Sequence, residues 1–279
     1  MNRPEALKLI SKANKRSHPG FFSKIMGTSD EWLHAANEIY ITAINLLVMD
    51  RPQDYDLIIS LYQRRINNLL KTSRPDDNRY EISCDYAEIA KFYEKLDRYD
   101  EAITHYQNAI NYVRYVDTKH VKRHTLSIAR LYQKSKSKYH KAIEYYGLAM
   151  EISEDHQGYA DMAKLQCELG EYEAAMGNYV KAAEACSDTI KRWTGKEYYV
   201  NASLCGFCLN GLAFMSQFLE YQREIPSLAE HPLLVAVSKG LESNDVEHFR
   251  LLEYDRFDES QVKLLVAIRR KIEQQDELQ

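Results

Sequence analysis

The sequence predicts an all-α protein: a twisted sheet of antiparallel helical hairpins, a tetratricopeptide-like right-handed solenoid, closed by a C-terminal helical bundle. A repeated phrase carries the prediction first. Tyr99-Asp-Glu-Ala102-Ile103, Tyr139-His-Lys-Ala142-Ile143 and Tyr179-Val-Lys-Ala182-Ala183 place Tyr and Ala at 40-residue intervals. The second observation is periodicity. Downstream, Ala102, Ile103, Tyr106, Ala109 and Ile110 match Ala142, Ile143, Tyr146, Ala149 and Met150, and then Ala182, Ala183, Cys186, Thr189 and Ile190. Apolar residues at i, i+1, i+4, i+7 and i+8 form one stripe of an α-helix. A single hairpin cannot bury such a stripe, so a fixed period of this length marks stacked hairpins. Third, only 10 Gly and 6 Pro occur in 279 residues, as long helices require.

Taken in order, residues 1–16 read as a helix with Ala6, Leu7, Ile10 and Ala13 on one face and Arg3, Lys8, Lys12, Lys15 and Arg16 around it. The segment 18–28 is bracketed by Pro19, Gly20 and Gly27, yet it carries Phe21, Phe22, Ile25 and Met26. Four large apolar residues in a loop fit either a plug folded onto the first hairpin or a segment that dips into a membrane or docks a partner. Thr28-Ser29-Asp30 offers N-caps for a helix holding Trp32, Ala36, Tyr40 and Leu47. Asp50-Arg51-Pro52-Gln53 ends it, and the helix carrying Tyr55, Ile58, Tyr62 and Ile66 runs to the break at Ser73-Arg74-Pro75. From about residue 79 to 195 the repeats follow, with first helices over Tyr80–Tyr93, Val121–Tyr132 and Tyr159–Tyr172. The period exceeds the 34 residues of a standard tetratricopeptide repeat, which implies lengthened helices. After Trp193-Thr194-Gly195 the repeat dissolves. An apolar helix from Lys196, punctuated by Gly206 and Gly211, helices near 232–240 and 245–252, and a last one over 258–274 read as the closing bundle. The expected domains are 1–195 and 196–279.

Composition bounds the function. Net charge is −4, which disfavours a general nucleic-acid binder. No stretch is seen that approaches the ~20 apolar residues of a membrane span, and residues 1–19 contain no apolar signal core. Five Cys at irregular spacing do not form a disulfide framework, so a reducing, cytoplasmic setting is expected. Cys205-x-x-Cys208 lacks a βαβ setting and a second pair at zinc spacing, and reads as two small buried residues. His120 and His124 lie among Lys119, Lys122 and Arg123 without a third ligand, and read as part of a solvated basic face. No phosphate-cradling loop, nucleophile elbow or zinc helix occurs, so neither an enzyme nor a cofactor is expected. Lys95, Lys119, Lys122, Arg123, Lys164 and Lys196 fall at repeat-related places, and such a stripe suits an acidic, rod-like partner.

The loop Gly20-Phe21-Phe22-Ser23, the long-period hairpins, Lys196-Glu-Tyr-Tyr with Ala202-Ser-Leu-Cys-x-Phe-Cys208, Glu253-Tyr254-Asp255 and the penultimate Leu278 together resemble the soluble NSF attachment proteins (SNAPs), nearly end to end. The likeness is greatest to their alpha/beta branch. It implies an adaptor in vesicle-mediated transport and membrane fusion that lies along the SNARE four-helix bundle and recruits and stimulates the hexameric ATPase NSF for disassembly. It also implies a protein peripheral on membranes, monomeric when free, with several copies on one bundle. Carried over by position, Phe21, Phe22, Ile25 and Met26 match the membrane-attachment loop. Lys95, Arg123, Lys164 and Lys196 match the SNARE-facing basic positions, while Glu242, Asp245 and Leu278 match the NSF-facing ones.

The chain departs from that pattern at Lys239 and Ser243, where acids are usual, at Ala229 in place of a basic residue, and at the terminal Gln279. Two other readings follow from the same residues: a scaffold that binds peptides or a chaperone through its concave face, and a mimic that binds SNAREs without supporting disassembly. The scaffold requires a compact carboxylate-clamp pocket and a packed aromatic loop.

Overall fold

The computed structural model describes residues 2–20, 26–49, 54–187, 191–250 and 252–276. Among these the chain is helical with no β-strand, and it divides into two compact units, Met1–Leu131 and Tyr132–Gln279.

The first unit contains α1 (Arg3–Arg16), α2 (Ser29–Met49), α3 (Tyr55–Leu69), α4 (Arg79–Lys95), α5 (Tyr99–Val113) and most of α6 (Thr118–Gln133). Neighbours in sequence pack as antiparallel pairs, because the short links leave no other route. Ala6, Ile10 and Ala13 of α1 join Tyr40, Ile44 and Leu47 of α2 and Ile58, Leu61 and Leu69 of α3 in one core. Asp54 caps α3 by accepting from Leu57 N–H at 3.1 Å. Asp30 is no cap: its carboxylate accepts from Ser73 N–H at 3.1 Å, so it ties the start of α2 to the turn after α3. A buried polar network fixes the end of α1, where the apolar loop departs. Tyr40 Oη donates to Asn14 Oδ1 at 2.7 Å, and Asn68 Nδ2 donates to Ser17 Oγ at 3.0 Å and to Asn37 Oδ1 at 2.9 Å.

The second unit contains α7 (Tyr139–Ile152), α8 (His156–Leu169), α9 (Tyr172–Glu184), α10 (Lys196–Asn210), α11 (Met215–Glu224), α12 (Pro232–Ser243), the short α13 (Glu247–Arg250) and α14 (Glu259–Asp276). Gly211 (φ +54°) terminates α10 rather than punctuating it. Gly206 admits Phe214 against the helix backbone, since a Cβ there would stand 2.3 Å from the ring. Phe214 and Phe218 meet Phe207 edge-on at 5.1 and 5.4 Å. Leu264, Leu265, Ile268 and Ile272 of α14 are buried. The helical run Trp193–Glu224 does reach bilayer length and apolarity by composition, contrary to the sequence reading. Residues Tyr198 to Cys208 are all buried, so this apolar character is used by the bundle core.

The repeat register differs from the sequence reading. The second helices of the three hairpins open at Tyr99, Tyr139 and Tyr172, so the spacing is 40 and then 33 residues. Tyr179 is therefore equivalent to Tyr106 and Tyr146, and all three are buried, whereas Tyr99, Tyr139 and Tyr172 are half-buried. The Ala pairs follow: Ala102 and Ala109, Ala142 and Ala149, Ala175 and Ala182 are each fully buried. The first helix of the third hairpin stops at Leu169, short of Tyr172. Gly170 (φ +77°) closes it, and Glu171 N–H donates to Gln166 O at 2.9 Å. The third hairpin thus has near-standard length.

The equivalent tyrosines differ in one respect. Tyr106 Oη donates to Glu94 Oε1 at 2.6 Å and Tyr146 Oη donates to Gln133 Oε1 at 2.8 Å. Tyr179 Oη is buried without a partner beside Cys167 and Cys205, and burial pushes its pKa up. Tyr106→Phe and Tyr146→Phe should each lose ~1 kcal/mol in urea denaturation, while Tyr179→Phe should be neutral or stabilising.

One buried ion pair joins α3 to α4. Arg65 Nη1 donates to Asp85 Oδ1 at 2.7 Å, while Arg65 Nε and Asp85 Oδ2 lack partners. Burial pushes the Asp85 carboxyl up to about 7 against the pull of Arg65. Its folded-state pKa exceeds the unfolded value of about 4, so between those values the folded state holds the extra proton and stability falls as pH rises. The fall in urea midpoint from about pH 4.5 to about pH 7.5 should be smaller in Asp85→Asn than in the wild type.

Candidate functional site

The sequence singles out five groups of residues: the apolar loop, the basic positions, a histidine pair, a cysteine pair and the C-terminal acids with Leu278. At the apolar loop, Phe21, Phe22 and Ile25 lie outside the described residues, while Met26 is 75% exposed. The flanks of the loop are described. α1 ends in Lys15 and Arg16, with Lys8, Lys12 and Lys15 exposed to solvent. A cavity of about 480 Å³ opens beside them, lined by Ser17, His18, Pro19, Ser29, Leu33 and Lys71. Exposed Met26 among surface cations suits an anionic, partly apolar surface.

The basic residues do not share one repeat-equivalent position. Lys95 is the last residue of α4, with its ammonium 4.9 Å above the Phe92 ring and 5.8 Å from that of Tyr55. Arg123 lies in the second turn of α6 and is exposed. In the second unit, Lys164 sits one turn further along α8 than Arg123 does along α6, and Lys196 opens α10. Both are half-buried. Trp193, 79% exposed, lies one turn before Lys196 in a π-helical turn.

His120 and His124 are not a solvated face. His120 Nδ1 lies 2.6 Å from Asp117 Oδ2 and its Nε2 lies 3.2 Å from Tyr80 Oη, so it is held between a helix cap and α4. His124 is 2% exposed and stacks on Tyr106 at 5.7 Å. Burial, aided by Arg123, His120 and Lys91, pushes its pKa down to about 4. It faces a cleft of about 130 Å³ between α4 and α6, with Cys84, Glu88 and Lys91 on one wall, Arg123 on the other and Tyr106 at the floor. The signal for this burial is visible in sequence: His124 shares its stripe with Thr125, Ile128 and Ala129, all buried.

Cys205 and Cys208 are buried, as expected. Cys205 Sγ meets Cys167 Sγ at 3.4 Å, and Cys208 Sγ reaches Leu264 O at 3.4 Å. Burial pushes the Cys208 thiol up to about 12, so both act as packing residues. Among the described residues no His, Cys, Asp or Glu cluster fits a metal ion.

At the C-terminal bundle, Glu242 is exposed near the end of α12 and Asp245 follows the left-handed Asn244 (φ +51°). Asp245 Oδ1 accepts from Glu247 N–H at 2.9 Å, while the Glu247 carboxylate itself pairs with Arg250 at 2.6 Å. Lys239 and Ser243 lie on the same helix, both exposed. Leu278 lies outside the described residues.

Comparison with known proteins gives the following. The family model described as soluble NSF attachment protein, SNAP, matches residues 4–273. Human alpha-soluble NSF attachment protein is 22% identical, over 98% of this chain and 96% of its own length. The vesicular-fusion protein SEC17 of Komagataella phaffii is 24% identical, over 98% and 97%. Among solved structures, BtubC (BKLC) from P. vanneervenii aligns over 81% of this chain and 92% of its own at TM-score 0.47 and 14% identity.

Proposed function

The chain belongs to the soluble NSF attachment protein family, and on that premise we propose that it is a non-enzymatic adaptor that binds assembled SNARE bundles and recruits NSF to disassemble them. The observation that carries this reading is the end-to-end match, with the family model spanning residues 4–273 and the relatives covering 98% of the chain.

In this reading Lys95, Arg123, Lys164 and Lys196 face the acidic bundle. Single surface ion pairs contribute ~0–1 kcal/mol, so the positions act together, setting register and association rate more than strength. Phe21, Phe22, Ile25 and Met26 insert at a membrane surface. Holding the adaptor beside membrane-anchored SNAREs raises its effective concentration, which multiplies weak contacts. Glu242 and Asp245 meet NSF through the bundle of residues 196–279, with Leu278 stimulating the ATPase. The free protein is a cytoplasmic monomer, peripheral on membranes, and several copies lie on one bundle.

The exposure of Met26 supports this reading over a peptide scaffold with a packed loop.

Two variants separate the two surfaces. Replacing Phe21 and Phe22 with Ser should reduce liposome co-flotation at least ~10-fold while leaving affinity for a soluble SNARE bundle unchanged. Lys164→Glu with Lys196→Glu should do the reverse, weakening bundle binding ~10-fold at low salt and less at high salt. Unchanged co-flotation of the first variant removes the loop from membrane attachment; unchanged bundle affinity of the second reduces the lysines to solvated surface.

A further inference from the structure

The cleft between α4 and α6 contains a polar atom that the fold itself leaves unsatisfied. His124 is 2% exposed, and its Nε2 is buried without a hydrogen bond. Most buried polar atoms of a native fold have a partner, and this one belongs to a side chain that lines a cleft beside cations. Arg123 stands at the rim, exposed and in no ion pair among the described residues. Glu88, the acid on the opposite wall, is held by Lys91 at 2.6 Å, which leaves the cleft one positive charge in excess.

We propose that this cleft anchors one carboxylate side chain of the partner, gripped by the Arg123 guanidinium at the rim and by His124 Nε2–H below it. The inference rests on the adaptor reading and adds to it a specific socket on the first unit. The volume of about 130 Å³ admits the end of an Asp or Glu side chain and excludes a peptide segment or a nucleotide. The chemistry selects the same group. A guanidinium and an imidazole N–H are both donors, and a carboxylate accepts from both at once. Burial and the cations Arg123, His120 and Lys91 keep the ring neutral, and a neutral imidazole still carries one N–H to donate. Asp117 faces the same ring pair through His120, which it holds at 2.6 Å, so its charge is already engaged.

The socket predicts that partner binding and stability move in opposite directions. His124→Phe keeps the stack on Tyr106 and removes Nε2. It should weaken binding of a soluble SNARE four-helix bundle about tenfold by fluorescence anisotropy, the worth of one charge-assisted hydrogen bond, while Tm stays level or rises. Ser127→Leu fills the cleft from the α6 wall without touching the ring and should lower affinity to a similar extent. Wild-type affinity in either folded variant overturns the socket. The Lys164→Glu, Lys196→Glu protein serves as control. If it weakens binding while His124→Phe does not, the socket fails and the adaptor reading stands; if the wild type itself ignores the bundle, both fail.

Discussion

The contact on which the architecture depends is the burial of alanine and tyrosine where one helix of a hairpin crosses the next. Each second helix reads Tyr-x-x-Ala-x-x-x-Tyr-x-x-Ala, from Tyr99, Tyr139 and Tyr172. The Ala positions have no exposed surface, so neighbouring backbones approach closely, and the inner Tyr fills the space beside them. A larger side chain at Ala102, Ala142 or Ala175 would force the hairpins apart. A smaller one at Tyr106, Tyr146 or Tyr179 would open a cavity. Lys95, Arg123 and the cleft lie on α4 and α6, the helices that precede and follow α5.

A second constraint is polar. Hairpin stacks place polar groups at contacts where water is excluded, and most find partners: Tyr106 with Glu94, Tyr146 with Gln133, Asn178 with Gln166. Besides Tyr179 Oη, two exceptions contrast with each other. Arg65 and Asp85 are partly satisfied by each other and cost stability as pH rises. His124 instead opens onto a cleft with an unpaired cation above it. The first is an internal compromise; the second is the atom on which the proposed socket rests.

The sequence made the helical class and most helix positions legible, because the apolar stripe repeats with little interruption by Gly or Pro. It misled on the third repeat. Tyr-x-x-Ala recurs after seven residues within each helix, so a shift of two turns matches almost as well. Equal 40-residue spacing selected Tyr179 where the fold uses Tyr172. Gly170, the left-handed cap, was the local signal of the earlier helix start. The histidines failed for a different reason. Surrounding cations suggested solvent, although the 3.6-residue stripe through Thr125, Ile128 and Ala129 carried His124 inward. The family resemblance rests on residues that local physics leaves undetermined, such as Phe21 and Phe22, which periodicity alone leaves open between plug and membrane anchor.

The central claim is that these surfaces act together to couple a SNARE bundle to its ATPase. The direct test is disassembly of a purified SNARE complex by NSF and ATP with this protein as the sole adaptor, followed by loss of energy transfer between labelled SNARE helices. The account predicts ATP-dependent separation of the helices that depends on adding the protein. A bundle that stays intact, with the protein bound to it and NSF active on another adaptor, would contradict it.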